Sequence, residues 1–125
     1  MILNSSPKPV IAVVDDDPRV LESLEDLLES SGYIVQSYTS AEALLEQDLF
    51  GWDALITDIA MPGLNGFALR DLVLEARRGV PIIMITGRDD LMEQVRTKGT
   101  GVYFRKPFDA QDLVAALGKS LPARG

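Results

Sequence analysis

Three consecutive aspartates, Asp15, Asp16 and Asp17, follow the short apolar run Val10–Val14. Asp58 follows a second run, Ala54–Thr57; Thr86 ends a third, Ile82–Ile85; Lys106 follows a fourth, Val102–Arg105. Each polar residue thus stands at the carboxyl end of an apolar run. In an open parallel sheet, ligands bind in the crevice outside the carboxyl ends of the strands, where the strand order reverses. If these runs are parallel strands, the residues converge there. Several carboxylates in one crevice repel one another, and without a counterion at least one is driven toward its protonated form. A hard divalent cation resolves the conflict. Mg²⁺ (or Mn²⁺) takes oxygen ligands and keeps several waters, so a few carboxylates and a backbone carbonyl suit it. A phosphoryl group arriving there would share the cation, with a lysine and a hydroxyl taking its remaining oxygens and one carboxylate acting as nucleophile.

The chain has no cysteine and no histidine. Thiol catalysis, cysteine metal sites, a histidine general base, a histidine ligand and an internal phosphohistidine are thereby excluded.

The elements that must position these residues can be read from the pattern. Asp17 before Pro18 marks a helix start, with proline at the first helical position. Val20, Leu21, Leu24, Leu27 and Leu28 recur at helical spacing, and Gly32 closes that helix. Ile34–Tyr38 reads as a strand, and Thr39 with Glu42 has capping-box spacing before a short helix to about Leu45. Met61-Pro62-Gly63-Leu64-Asn65-Gly66 is a turn-rich loop. A helix over Phe67–Ala76 turns Leu69, Leu72 and Val73 inward. Asp89–Lys98 reads as a fourth helix with a narrow apolar stripe, and Asp109 caps a fifth carrying Leu113, Val114 and Leu117. Trp52 and Phe50 read as core or rim packing. Five strands alternating with five helices define an α/β fold with a parallel sheet. The continuous apolar runs suit strands covered on both faces.

Length and composition bound the rest. The 125 residues, 46% apolar and 25% charged, suit one domain, 1–125, with its core at about 9–121. A net charge of −7 without a basic run argues against direct nucleic-acid binding. The apolar stretches fall far short of the roughly 20 residues that span a bilayer. Met1–Pro9 lacks the apolar core of a signal peptide, so a cytoplasmic location is expected.

Four segments together carry a resemblance: Val13-Val14-Asp15-Asp16-Asp17, Thr57-Asp58-Ile59-Ala60-Met61-Pro62-Gly63-Leu64-Asn65-Gly66, Ile85-Thr86-Gly87 and Lys106-Pro107-Phe108-Asp109. In this order and spacing they resemble the receiver domains of bacterial two-component response regulators, over about Pro9 to Leu121. The resemblance implies a flavodoxin-like (βα)5 doubly wound sheet of strand order 2-1-3-4-5. It implies that Asp58 is the phosphoacceptor, that Asp16 binds Mg²⁺ directly and Asp15 directly or through water, and that Ala60 adds its backbone carbonyl. Thr86 would bond a phosphoryl oxygen, Lys106 would pair with the phosphoryl group, and Tyr103 would be the switch aromatic that moves as Thr86 moves. A cis peptide between Lys106 and Pro107 is common to many relatives. The implied partners are a sensor histidine kinase or phosphotransfer protein and a downstream effector. A homodimer would form through the face of the fourth helix, fifth strand and fifth helix. The protein would be a signalling receiver, not a dedicated enzyme.

The plainer readings are weaker. Asp17 is the helix cap and is left out of the metal site. Asp15, Asp16, Asp58, Thr86 and Lys106 gain their functional reading from one another. Gly118-Lys119-Ser120 lacks the upstream glycine of a phosphate-binding loop. A haloacid-dehalogenase-type phosphatase would start with Asp15-x-Asp17, yet no acidic pair follows Lys106 at a strand end. A receiver-like module that binds partners without phosphorylation would not need the full residue set. The chain departs from the family at Thr100, where alanine is usual after the glycine, and at Arg96 and Thr97 in the fourth helix. Ala60 and Arg88, each two residues past a site residue, flank the place of the phosphoryl group. Ala60 leaves room for water, and Arg88 could shield or stabilise the group.

Overall fold

The structure, a computed structural model, describes residues 8–91, 94 and 101–121. Strand β1 (Val10–Val14) leads to α1 (Pro18–Ser30), β2 (Ile34–Tyr38) to α2 (Ala41–Leu45), and β3 (Ala54–Asp58) to α3 (Gly66–Ala76). Strand β4 (Ile82–Thr86) is followed by helical residues at 89–91 and 94, the start of α4. Strand β5 (Val102–Arg105) and α5 (Ala110–Ser120) complete the described chain. The strands form one parallel sheet in the order β2-β1-β3-β4-β5. This is the flavodoxin-like doubly wound order.

The period of two along each strand splits the core. Ile11, Val13, Ile56, Ile83 and Ile85 face one layer, built from Leu21, Leu24 and Leu28 of α1 and Leu113 and Leu117 of α5. Ala12, Val14 and Leu55 face the other, built from Ala41 and Leu44 of α2, Leu69 and Val73 of α3, and Trp52. Central strands buried on both faces explain why β1, β3 and β4 read as unbroken apolar runs. Edge strand β2, with Ile34, Gln36 and Ser37, is more exposed.

Most helix boundaries follow their caps. Asp17 Oδ1 accepts from Arg19 N at 2.9 Å ahead of Pro18, and Gly32, at φ 96°, lets the chain turn out of α1. Asp109 Oδ1 accepts from Asp112 N at 3.0 Å to start α5. Two local expectations need correction. The cap of α2 is Ser40, whose hydroxyl accepts from Ala43 N at 3.0 Å, and no Thr39–Glu42 capping box forms. Glu42 is thereby only two residues past the cap, and its carboxylate turns to the loop after β3. Leu72 is exposed, because the buried stripe of α3 runs through Gly66, Leu69 and Val73, with Phe67 beside it. Trp52 lies in the core and Phe50 on the rim, with the Arg77 guanidinium 5.0 and 5.4 Å from their ring centroids. Of the expected fourth helix, residues 92, 93 and 95–98 lie outside the described residues, with Arg96, Thr97 and Thr100 among the undescribed positions.

Candidate functional site

The sheet register brings the carboxyl ends of the strands level. Val14 of β1 pairs with Thr57, Asp58 with Ile85, and Thr86 with Arg105. Asp15 therefore leaves β1 beside Asp58. The chain passes from β1 outward to β2 and then returns to β3 on the other side of β1. The two aspartates thus stand at the reversal of strand order, where such sheets bind ligands.

Asp15 and Asp58 are buried and Asp16 is exposed. One carboxylate oxygen from each of the three lies within 4.8 Å of the others. Octahedral Mg²⁺ holds oxygens at about 2.1 Å, so two of its ligands sit at most about 4.2 Å apart. Three oxygens on one octahedron include adjacent pairs about 3 Å apart, so the three carboxylates would draw closer together to share one ion. The donor set is all oxygen, as a hard cation requires.

Lys106 supplies the positive charge that the aspartates face in the protein. Its Nζ donates to Asp15 Oδ2 at 3.0 Å and lies 3.5 Å from Asp58 Oδ1. Asp15 Oδ1 accepts from Asp17 N at 2.9 Å, so both oxygens of Asp15 are engaged. Burial, then the charge of Asp15 and more weakly that of Asp16, pushes the Asp58 carboxyl up to about 6, against the pull of Lys106. Burial disfavours the Lys106 ammonium, but its hydrogen bond to Asp15 and the charges of Asp58 and Asp15 outweigh this and hold it above the ordinary lysine value. A crevice with more carboxylates than ammonium groups is one that a further cation would relieve.

Thr86 is fully buried at the end of β4. Its Oγ1 accepts from Arg88 N at 3.1 Å, which leaves its O–H free to donate. Its carbonyl accepts from Lys106 N at 2.7 Å, tying the strand ends of Thr86 and Lys106 together. The Lys106–Pro107 peptide is cis. Ala60 is half-buried and lines a cleft of about 340 Å³ with Met61, Asn65, Arg88 and Leu91. Arg88 is paired with Asp90, Nη2 to Oδ2 at 2.8 Å. Tyr103 lies opposite Met84 on the outer strand β5, 36% exposed.

Three residues of this neighbourhood have roles that the motifs alone do not assign. Thr57, buried beside Asp58, donates its hydroxyl to the Asp58 carbonyl at 3.0 Å. Gly66 is forced by contact: a Cβ there would fall 2.5 Å from the Asp58 carbonyl oxygen and 2.7 Å from Ile59 Cα. Glu42 accepts from Leu64 N at 3.1 Å. A glycine closing the loop after Asp58 is a signal of close backbone approach that could have been read. The Thr57 bond is to the next residue in the chain, whereas that of Glu42 depends on tertiary approach.

Five parallel strands in this order, with an acidic cluster and a lysine at the switch point, define the receiver class of signalling domain. The model of the response regulator receiver domain family matches residues 11–118, and the chain belongs to that family, the receivers of two-component systems. It is 36% identical to the response regulator protein TmoT of Ectopseudomonas mendocina over 90% of this chain and 52% of that protein. It is also 36% identical to the transcriptional regulatory protein FixJ of Azorhizobium caulinodans, over 89% of this chain and 54% of the relative. The chain thus spans about half the length of these curated relatives. The crystal structure of response regulator protein TrrA from Thermotoga maritima, in complex with Mg²⁺-BeF, superposes with a TM-score of 0.82 at 27% identity, covering 90% of this chain and 99% of that one. Among the described residues, no helix is long and apolar enough to cross a membrane.

Proposed function

We propose that this receiver accepts a phosphoryl group on Asp58 from the phosphohistidine of a sensor kinase or phosphotransfer protein, and that the modified site redirects a downstream effector. The observation that carries the reading is the convergence of Asp15, Asp58 and Lys106 within hydrogen-bonding or ion-pair distance at the switch point. In the transfer, an oxygen of ionised Asp58 forms a bond to phosphorus as the phosphorus–nitrogen bond of the donor breaks, and the imidazole leaves with the electron pair. Asp15, Asp16, Asp58 and the Ala60 carbonyl would hold Mg²⁺, whose chemistry when bound is to neutralise charge on the carboxylates and phosphoryl oxygens. Lys106 is placed to release Asp58 and pair with the phosphoryl oxygens, a charge-assisted contact. The Thr86 hydroxyl has a proton to donate to the same group. Tyr103 would follow Thr86, carrying the change to the face of α4, β5 and α5, where an effector or a second copy docks. The role asks of this receiver no activity beyond its own phosphorylation and dephosphorylation.

The test is labelling by a small-molecule phosphodonor with and without Mg²⁺. Wild type should be labelled only with the cation, and Asp58→Asn should take no stable label. Equal labelling of the two proteins rejects Asp58 as the acceptor.

A further inference from the structure

The loop that follows Asp58 is closed at its base and pinned at its tip by different means. At the base, Gly66 N donates to the Ile59 carbonyl at 2.9 Å, and Asn65 caps α3 through Ala68 N at 2.9 Å. Met61 anchors one side by burial against the layer of α2 and α3. The tip, Pro62-Gly63-Leu64, projects outward with Gly63 at φ 72°. Its hydrogen bond to the rest of the fold comes from α2, where Glu42 Oε2 accepts from Leu64 N at 3.1 Å. The approach is close: a Cβ on Gly63 would fall 2.7 Å from that same oxygen. Helix α2 is itself fixed, because Ala41 and Leu44 on either side of Glu42 are fully buried. Its own backbone amide and the Leu64 N–H hold the carboxylate below the usual glutamate range.

We infer that Glu42 is a positioning residue for the phosphorylation site, acting through Leu64 N–H to set the loop that presents the Ala60 carbonyl beside Asp58. The inference rests on the proposed Mg²⁺-dependent phosphorylation and extends it to a helix outside the crevice. Ala60 lies two residues past the strand end at Asp58 and four before Leu64, whose N–H Glu42 holds. A carbonyl ligand has no side-chain freedom with which to correct an error, so its position is only as good as the loop's. Octahedral Mg²⁺ tolerates little misplacement. Glu42 is solvent-exposed, so the contact acts on geometry and contributes little to global stability.

Mg²⁺ titration by calorimetry, with amide exchange at Leu64, tests this on wild type, Glu42→Ala, Glu42→Gln and the control Glu46→Ala on the same helix. Removing partners that orient a metal ligand weakens affinity about 10–100-fold, and for this exposed partner the low end, about tenfold, is expected in Glu42→Ala. Glu42→Gln keeps an acceptor oxygen and should stay near wild type in both affinity and Leu64 protection. Glu46→Ala removes a charge without touching the loop and should also stay near wild type. Wild-type Mg²⁺ affinity in Glu42→Ala overturns the inference, as does equal weakening in Glu42→Gln and Glu46→Ala, which would assign the effect to charge alone. A wild-type protein that binds no Mg²⁺ overturns both the inference and the reading beneath it. Mg²⁺ binding that ignores Glu42 overturns the inference alone.

Discussion

Lys106 Nζ meets Asp15 Oδ2 at 3.0 Å, joining the end of the last strand to the end of the first. The same ammonium reaches Asp58 at 3.5 Å, so one cation is shared by two buried carboxylates. Removing it leaves both without a counter-charge. Breaking a fully buried pair by deleting one partner costs about 3–5 kcal/mol, and because Lys106 is partly exposed a loss nearer 1–2 kcal/mol is expected for Lys106→Ala without metal. That corresponds to a melting temperature lower by about 4–8 °C. The Asp58 carboxyl should titrate higher than in wild type, as followed by carboxyl-carbon NMR. Labelling by a small phosphodonor should persist, since the proposed acceptor Asp58 remains. An unchanged Asp58 titration would mean that the 3.5 Å approach is not formed in solution.

Asp58→Asn gives the opposite stability change. Burial and the neighbouring aspartates push the Asp58 carboxyl up from its ordinary value of 3.8 to about 6 in the fold. The folded state therefore binds the proton more tightly than the unfolded state. The stabilisation from protonated Asp58 is complete below 3.8 and is lost as pH rises through about 6. Above that, ionised Asp58 is a cost that asparagine removes. After allowance for solvent screening the gain is about 1–2 kcal/mol at neutral pH. In a melting series without divalent cations, the variant should be the more stable protein at pH 7.5, with the gap closing toward pH 4. A variant less stable than wild type at pH 7.5 would contradict the crowding of carboxylates. Added Mg²⁺ should stabilise wild type and narrow the same gap, because binding to the folded state shifts the equilibrium.

Asp15 and Asp16 sit in different surroundings. Both oxygens of Asp15 are occupied, by Lys106 and by Asp17 N–H, whereas Asp16 is exposed at the mouth of the cluster. Asp16→Ala should cost Mg²⁺ affinity, about tenfold or more, with little change in melting temperature. Asp15→Ala should cost less affinity but more stability, since it removes the acceptor of both the Lys106 ammonium and the Asp17 N–H and leaves Lys106 its longer approach to Asp58. Calorimetric titration beside thermal melts separates the two patterns. Equal losses of affinity would show that the ligand assignment is wrong.

The elements legible in the sequence were those with a local cause. The apolar runs of β1, β3 and β4 could be read because both of their faces are buried, and Asp17-Pro18 and Asp109 announced their helices through caps that need no distant partner. Five site residues stood at strand ends, and a parallel sheet turns that position into proximity. What stayed hidden depends on approach across the fold. Thr39 and Ser40 are both good cap residues, and only the backbone path into α2 selects Ser40. Glu42 matched a local capping rule equally well, yet its partner is the N–H of Leu64, contributed by another element. Leu72 and Leu69 are chemically alike, and the angle at which α3 sits on the sheet decides which one is buried. The strand order itself came from resemblance, since alternating strands and helices do not specify which neighbours pair.

Trp52 provides a check on strand register that is independent of any ligand assignment. It lies just before β3, next to Asp53, whose N–H donates to the Val10 carbonyl at the start of β1. Asp58 stands at the carboxyl end of the same strand. At about 3.3 Å per residue, six residues place the indole on the order of 20 Å from the acidic cluster. The ring is buried among the α2 and α3 layer, and its polar neighbour is Arg77, whose Nη1 donates to the carbonyls of Trp52 at 2.6 Å and Leu49 at 2.8 Å. Emission from the single tryptophan should therefore change little when Mg²⁺ is titrated to saturation, although calorimetry on the same sample reports binding. Arg77→Ala serves as the positive control. It removes a cation from 5.0 Å over the indole and leaves two carbonyls without their donor, so it should shift the emission without altering Mg²⁺ affinity. Strong quenching of wild type by Mg²⁺ would place the indole close to the ion and contradict the register of β3 against β1.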